Sequence, residues 1–307
     1  MEDQVVRNRA ISAASEAGAA FPLSELKYSL RRPRTVFSAL STGLITLLTL
    51  AALVPLFSVV YMLLVRGIHK LSLSAFTSLP PAAMEKGGGF GNAILGTLTM
   101  VGIATLISVP LGIVAAIFLA EVGPRTWLAK PVRFGANMLS GFPSILAGVF
   151  AYGAVVMVTG GFSAVAGGIA LAILMLPTVM LTAEDAISMV PDNAREGAIA
   201  MGATPTQVIW RVMLPTALPG ILTGVMLAVA RAAGETAPLL FTALFSNYWP
   251  DALMDRTASL AVLIYNFSSM PFENQIEMAW AAALVLVLLV LTASLIGQGF
   301  SRRSGQL

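Results

Sequence analysis

Two ionisable residues interrupt an otherwise apolar stretch of this sequence, in the run Ala230-Arg231-Ala232-Ala233-Gly234-Glu235-Thr236-Ala237-Pro238-Leu239-Leu240. A charge at the centre of a membrane span costs about 2.5–3.5 kcal/mol on insertion scales, so such residues normally face a bundle interior and mark a path. Arg231 and Glu235 stand four positions apart, which on a helix puts them on one face as a pair. A guanidinium offers planar, bidentate donors to a tetrahedral oxyanion. The neighbouring carboxylate would keep such binding weak enough for release. The same pair would also serve simply to lock a helix bundle, and both readings stand at this stage. Other chemistry finds little support. Cysteine is absent, which removes disulfides, thiolate metal sites and cysteine nucleophiles. The single histidine, His69, sits just past an apolar stretch in Arg66-Gly67-Ile68-His69-Lys70 and reads as interfacial or solvated. The glycines of residues 87–91 are not followed by a helix-opening Gly-Lys-Ser/Thr, so there is no P-loop.

The elements that would hold Arg231 and Glu235 are membrane helices. Of the 307 residues, 57% are hydrophobic and 11% charged, against roughly 45–50% and about 25% in soluble domains. Uncharged stretches long enough to cross a hydrocarbon core of roughly 30 Å predict six spans, at about residues 36–65, 92–120, 132–158, 163–190, 216–245 and 277–297. The expected fold class is therefore an all-α polytopic membrane protein. It has an N-terminal tail 1–35, a membrane domain 36–299 and a C-terminal tail 300–307. The N-terminal tail lacks a short apolar segment near its start, so it reads as a retained, partly disordered extension and not a cleaved signal. It carries Arg7, Arg9, Lys27, Arg31, Arg32 and Arg34. With the N-terminus in the cytosol, Arg125, Lys130, Arg133, Arg195, Arg211, Arg302 and Arg303 fall inside as well, and only Arg66, Lys70, Lys86 and Arg256 fall outside. The positive-inside rule thus predicts both termini cytosolic. The formal charge of +3 is spent at these flanks, next to membrane lipid, and implies no nucleic acid.

Pro55, Pro110, Pro143, Pro177 and runs such as Ala166-Gly167-Gly168 lie within the expected spans. They suit close helix packing, where neighbours re-satisfy freed carbonyls. For Gly141-Phe142-Pro143-Ser144, packing and direct substrate contact both remain open. The two external connections, 66–91 and 246–276, are long enough for each to hold a short helix or a docking surface.

Residues 191–215 form the longest cytoplasmic connection and parse as two short helices joined at Gly202. Asp192 is the expected N-cap of the first, and Gly202 the left-handed residue that ends it. Thr204 caps the second, with Pro205 at its first position and Gln207 closing a capping box. Pro215 marks the exit toward the membrane. The hairpin offers Ile199, Met201, Val208 and Trp210 for packing. Its physics fits either a loop resting on lipid headgroups or a docking element.

The spacing of Glu196, Gly202, Val212, Leu214 and Pro215 resembles the EAA-type signature of ATP-binding-cassette importer permeases. Gly197 replaces the first Ala of that signature, and Val212 its Ile. The segment Arg231-Ala232 through Gly234-Glu235-Thr236-Ala237-Pro238-Leu239 is similar to that of the PstA-type permease family of bacterial phosphate-specific importers. So are Gly96-Thr97, Pro110-Leu111-Gly112, Leu119-Ala120-Glu121, Gly141-Phe142-Pro143-Ser144-Ile145 and Phe150-Ala151-Tyr152-Gly153. The resemblance implies a type I importer permease fold in the bacterial cytoplasmic membrane. It implies ATPase coupling through Arg195, Glu196, Gly202, Ala203, Leu214 and Pro215, and a substrate pathway with Arg231, Glu235, Thr236 and Ser144. It also implies a PstC-type permease partner, an ATPase dimer that binds ATP-Mg, an extracytoplasmic phosphate-binding protein and a phosphate-signalling regulator. This chain itself would bind no cofactor and catalyse nothing. The competing readings are a molybdate or sulfate permease of the same fold, an ion-coupled secondary transporter in which Arg231 and Glu235 form a relay, and a phosphate-sensing membrane scaffold. An ion-coupled transporter has no use for the signature loop.

Overall fold

Backbone N–H and C=O groups that lose contact with water must be satisfied within the chain, and the long apolar runs do this by forming helices. The computed structural model describes residues 33–85, 87–122 and 126–304. The chain divides into two compact units, residues 1–60 and 61–307. In the first unit the described residues belong to α1 (Pro33–Ile68), in which apolar side chains predominate around the helix from Val36 onward, as suits a lipid-embedded helix. Its Thr46 and Thr49 hydroxyls donate to the carbonyls four residues earlier, so that neither remains unpaired. The readings of the tail over residues 1–32, and of Lys86 and Arg125, lie outside the described residues. Residues 33–35, assigned to the tail from sequence, are already helical.

The second unit continues with α2 (Leu73–Thr77) and then α3 (Gly91–Ile117), which runs on through a π turn, Phe118–Val122. Next come α4 (Ala129–Ser140) and α5 (Ser144–Ala151), the latter extended by a π turn Tyr152–Val156 and a last turn Met157–Thr159. They are followed by α6 (Ala164–Ser188), α7 (Asp192–Ala200), and α8 (Pro205–Val208), which leads through a π turn Ile209–Met213 into α9 (Leu214–Ala233). The order closes with α10 (Ala237–Thr242), α11 (Leu260–Ser268) and α12 (Glu273–Ser304). Among the described residues, five helices are long and apolar enough to cross a membrane, or six if the bent pair α4 and α5 is one span. Each of the two long connections, 66–91 and 246–276, holds a short helix, α2 in one and α11 in the other.

Three expected boundaries change. The third span, 132–158, is not one helix: α4 and α5 meet at 106°. Gly141 caps α4, and Pro143, which has no N–H to give, starts α5. Phe142, preceding that proline, is steered away from helical torsion angles. The fifth span was expected over 216–245. Instead one helix covers Pro205–Ala233, and the chain breaks at Gly234 before Pro238 opens the first turn of α10. The last helix runs to Ser304, well into the segment read as a tail.

Small residues set the packing. α6 is the most buried of the candidate spans, and α3 lies against it. A Cβ on Gly112 would meet Val179 at 2.8 Å, and one on Gly168 would meet Ile103 at 2.6 Å. Such stripes let helices approach where no hydrophobic drive separates lipid from side chain. Gly224 admits Thr182 between α9 and α6, and Gly297 admits Met226 between α12 and α9. The broken spans touch each other too: a Cβ on Gly148 in α5 would lie 2.6 Å from Pro238 Cα in α10.

Candidate functional site

Local signals build the hairpin of α7 and α8. Pro191, with extended torsion angles, is the residue that caps α7. Asp192 is therefore the first helical residue and not the expected N-cap, and its side chain makes no cap bond. Its carboxylate in the first turn still complements the helix dipole. At the other end Gly202 has φ +87°. The Ala203 N–H donates to Ala198 O at 3.1 Å and the Gly202 N–H to Ile199 O at 2.9 Å, the two bonds of a Schellman cap. Thr204 then caps α8: Gln207 N–H donates to Thr204 Oγ1 at 3.4 Å, and Thr204 N–H to Gln207 Oε1 at 2.9 Å.

At Pro215 the chain passes straight on into the long helix Pro205–Ala233 with no break between hairpin and span. Proline offers no N–H to the carbonyl of Arg211, and the π turn before it shifts the bonding, with Leu214 N–H reaching Ile209 O. The Thr216 hydroxyl takes up Val212 O at 2.6 Å. α8 and α9 are thereby one rod, and the second arm of the hairpin extends the helix that carries Arg231. Ile199, Met201 and Trp210 project outward, whereas Val208, expected on that surface, is buried in the bundle beside Ala198 and Met213. Glu196 and Pro215 are exposed, while Ala203 and Leu214 are half-buried. Arg195 turns inward. It pairs with Glu121, at the end of the π turn that finishes α3, and Arg195 Nη2 lies 3.7 Å from Met213 Sδ.

Arg231 sits in the last turn of α9, where a cation complements the dipole. Glu235 lies beyond the helix end, its N–H donating to Ala232 O at 3.2 Å, so the two are not on one helical face. The turn nevertheless brings them together, with Arg231 Nε 3.6 Å from Glu235 Oε1. Exposure is unequal, 52% for the Arg231 side chain and 16% for Glu235, so this is not the fully buried pair that a mid-span position suggested. Glu235 faces the guanidinium through Nε, which leaves the terminal nitrogens for another partner. Leu174, Met175, Thr178, Ala228 and Ala232 complete a cavity of about 10 Å³ beside the pair, room for about one water molecule. Thr236 precedes α10 without a side-chain cap bond. Ser144, the first residue of α5, is half-buried and shares no hydrogen bond with Arg231 or Glu235. The Gly148 contact with Pro238 relates the two broken spans without joining Ser144 to the pair.

Sequence reasoning missed three long-range ion pairs, the exposed Lys70 with Glu277 and two whose carboxylates are more buried. One is Arg195 with Glu121. The other is Arg133 in α4 with Glu184 in α6, where Arg133 Nε donates to Glu184 Oε1 at 3.0 Å and Nη2 contacts the same oxygen. Glu184 is buried. The available signal was a carboxylate set in an apolar helix, which demands a cation somewhere in the fold without saying where.

Residues 108–306 match the family described as Binding-protein-dependent transport system inner membrane component. The chain is 43% identical over 233 residues to the Phosphate transport system permease protein PstA of Yersinia pestis, covering 76% of this chain and 79% of that one. It is 40% identical over 258 residues to the protein of the same name from Haemophilus influenzae, covering 84% and 91%. Among solved structures, a chain of a bacterial alginate ABC transporter, in complex with its pentasaccharide-bound periplasmic protein, superposes with a TM-score of 0.63. That match is 16% identical and covers 89% of this chain and 97% of that one, a likeness of fold.

Proposed function

The chain belongs to the family of binding-protein-dependent transport system inner membrane components, and on that premise we propose that it is a permease subunit of an ATP-driven phosphate importer. The observation that carries the substrate is the 43% identity to a phosphate permease over 76% of the chain. The Arg231 geometry supports it. A guanidinium held by Glu235 through Nε alone keeps its planar terminal edge open to a tetrahedral oxyanion. A cavity of about 10 Å³ on one subunit is far too small for that anion, which fits a pathway completed by a second permease.

In this reading the subunit hydrolyses nothing. A separate ATPase and a periplasmic binding protein work with it, and the exposed ridge of Ile199, Met201 and Trp210, with Glu196 beside it, docks on the ATPase from the cytosolic side. Gly202 and Ala203 shape the turn, and Leu214 and Pro215 carry the motion into the span. Both termini are cytosolic, the membrane is the bacterial inner membrane, and the second permease is of PstC type. A phosphate-signalling regulator is a further partner in keeping with the family.

The test is uptake of labelled phosphate by vesicles holding the assembled complex. Arg231→Ala is expected to lower uptake at least about tenfold, the loss of a hydrogen-bonded charged contact, while the subunits still co-purify. Unchanged uptake would remove Arg231 from the path. Equal competition by sulfate or molybdate would favour the permease of a different oxyanion. Flux that persists with a non-hydrolysing ATPase would favour an ion-coupled transporter.

A further inference from the structure

Arg195 lies within the signature loop, next to the Glu196 that the docking surface exposes, yet its side chain does not face outward. It pairs with Glu121 at one end of the helix Gly91–Glu121. Among the described residues no other ion pair ties α7 to a neighbouring span; its remaining side-chain attachments are the weak contact of the same Arg195 with Met213 Sδ and the apolar packing of Ala198. The π turn Phe118–Val122 is what brings Glu121 to that position. The other end of the same helix is held as firmly. Asn92 Nδ2 donates to Ser246 O at 2.9 Å and to Tyr248 O at 3.3 Å. Thr97 Oγ1 accepts the Leu260 N–H at 2.9 Å. Asn92 and Thr97 are both buried, and a Cβ on Gly96 would run into Ala258 O.

We infer that Glu121 and Arg195 form a strut, and that the helix between Gly91 and Glu121 is a rod that carries movement of the hairpin to the extracytoplasmic connection around residues 246–260. At 1.5 Å per residue the rod is about 45 Å long, enough to cross the membrane. Its glycine-lined contact with α6 guides it, and polar bonds fix it at either end. Glu121 is thus a positioning residue. It touches neither substrate nor ATPase, and acts by making the hairpin and the outer connection move together. This inference rests on the proposed docking role of the hairpin, which brings the ATPase to one end of the rod and the binding protein to the other.

The experiment uses the complete complex in liposomes, with saturating phosphate-loaded binding protein. Phosphate uptake, ATP hydrolysis and subunit co-purification are measured for Glu121→Arg, Arg195→Glu and the double exchange. Each single variant is expected to lower uptake per ATP about tenfold with the complex intact, and the exchange to restore it to within about threefold, because the pair needs opposite charges and not a given order. Glu121→Gln, which keeps size, and Arg195→Gln, which removes the charge without reversing it, serve if a reversed charge prevents assembly; their combined loss should be no greater than either alone. Additive losses, or an exchange that rescues nothing while both singles assemble, would overturn the strut. Gly202→Asp separates the two ideas: if it leaves uptake intact, the docking role itself fails, whereas if it abolishes uptake and the exchange does not rescue, only the strut fails.

Discussion

Arg195 and Arg231 lie thirty-six residues apart, and each faces one carboxylate, but the two pairs are built for opposite ends. Arg195 reaches Glu121 across the fold and is wedged against Met213, with a third of its side chain exposed. Arg231 faces Glu235 across a single turn at 3.6 Å, beyond hydrogen-bonding distance, with half its side chain exposed. An ion pair in direct contact across the fold holds elements in register. A loose local pair leaves donors unspent and so remains available to an arriving anion. On the proposed reading the first pair does mechanical work and the second recognises the anion.

Breaking the second arginine should have the greatest effect. Alongside the Arg231→Ala loss, Arg231→Lys should recover less than about a tenth of wild-type uptake, because an ammonium cannot present a planar fork. Full recovery in the same vesicle assay would mean that only the charge matters. Next in size is the other long-range pair. Glu184→Gln, which leaves Arg133 facing a neutral amide, should destabilise the subunit by about 2 kcal/mol, at the lower end for breaking a buried pair because Arg133 is half-exposed. Thermal unfolding of the purified complex measures this, and the loss should exceed that of any exposed pair. A smaller effect belongs to the turn of the hairpin. Gly202→Ala imposes φ +87° on a residue with a Cβ and should cost about 1 kcal/mol, read as weaker ATPase docking in a pull-down titration. The smallest is Lys70→Ala. Its pair with Glu277 is 43% exposed on both sides and should contribute under about 1 kcal/mol, so the unfolding temperature should hardly move.

What the sequence made legible follows the range of the forces involved. The hairpin was readable because its signals are local: Thr204, Pro205 and Gln207 form their capping box within one turn, and Gly202 takes the only kind of torsion that would justify it there. That the chain is built of long apolar helices was readable from hydropathy alone. The break at Gly141 to Pro143 was not, since prolines at 110, 177 and 219 stand inside unbroken helices and the residue type does not distinguish the cases. The continuity of the helix through Pro215 was not readable either, because the π turn that absorbs the proline depends on bonds shifted by one residue. The pairs of Glu121 and Glu184 were invisible for a different reason. Their partners lie 74 and 51 positions away, a distance over which no periodicity carries information.

The π turn Ile209–Met213 also has a bearing on insertions and deletions. A helix turns about 100° per residue, so the extra residue absorbed there sets the angular phase between Trp210 and everything beyond Met213. A chain one residue shorter at this point could wind as a regular helix, save for the carbonyl that Pro215 leaves without an N–H donor. It would then present Arg231 about a quarter-turn or more away from its present azimuth, out of step with the face that carries the hairpin. Length between these two points is therefore constrained along with residue identity, and a single-codon deletion would leave composition, hydropathy and helix content almost untouched while rotating the guanidinium, and Glu235 with it, relative to the hairpin.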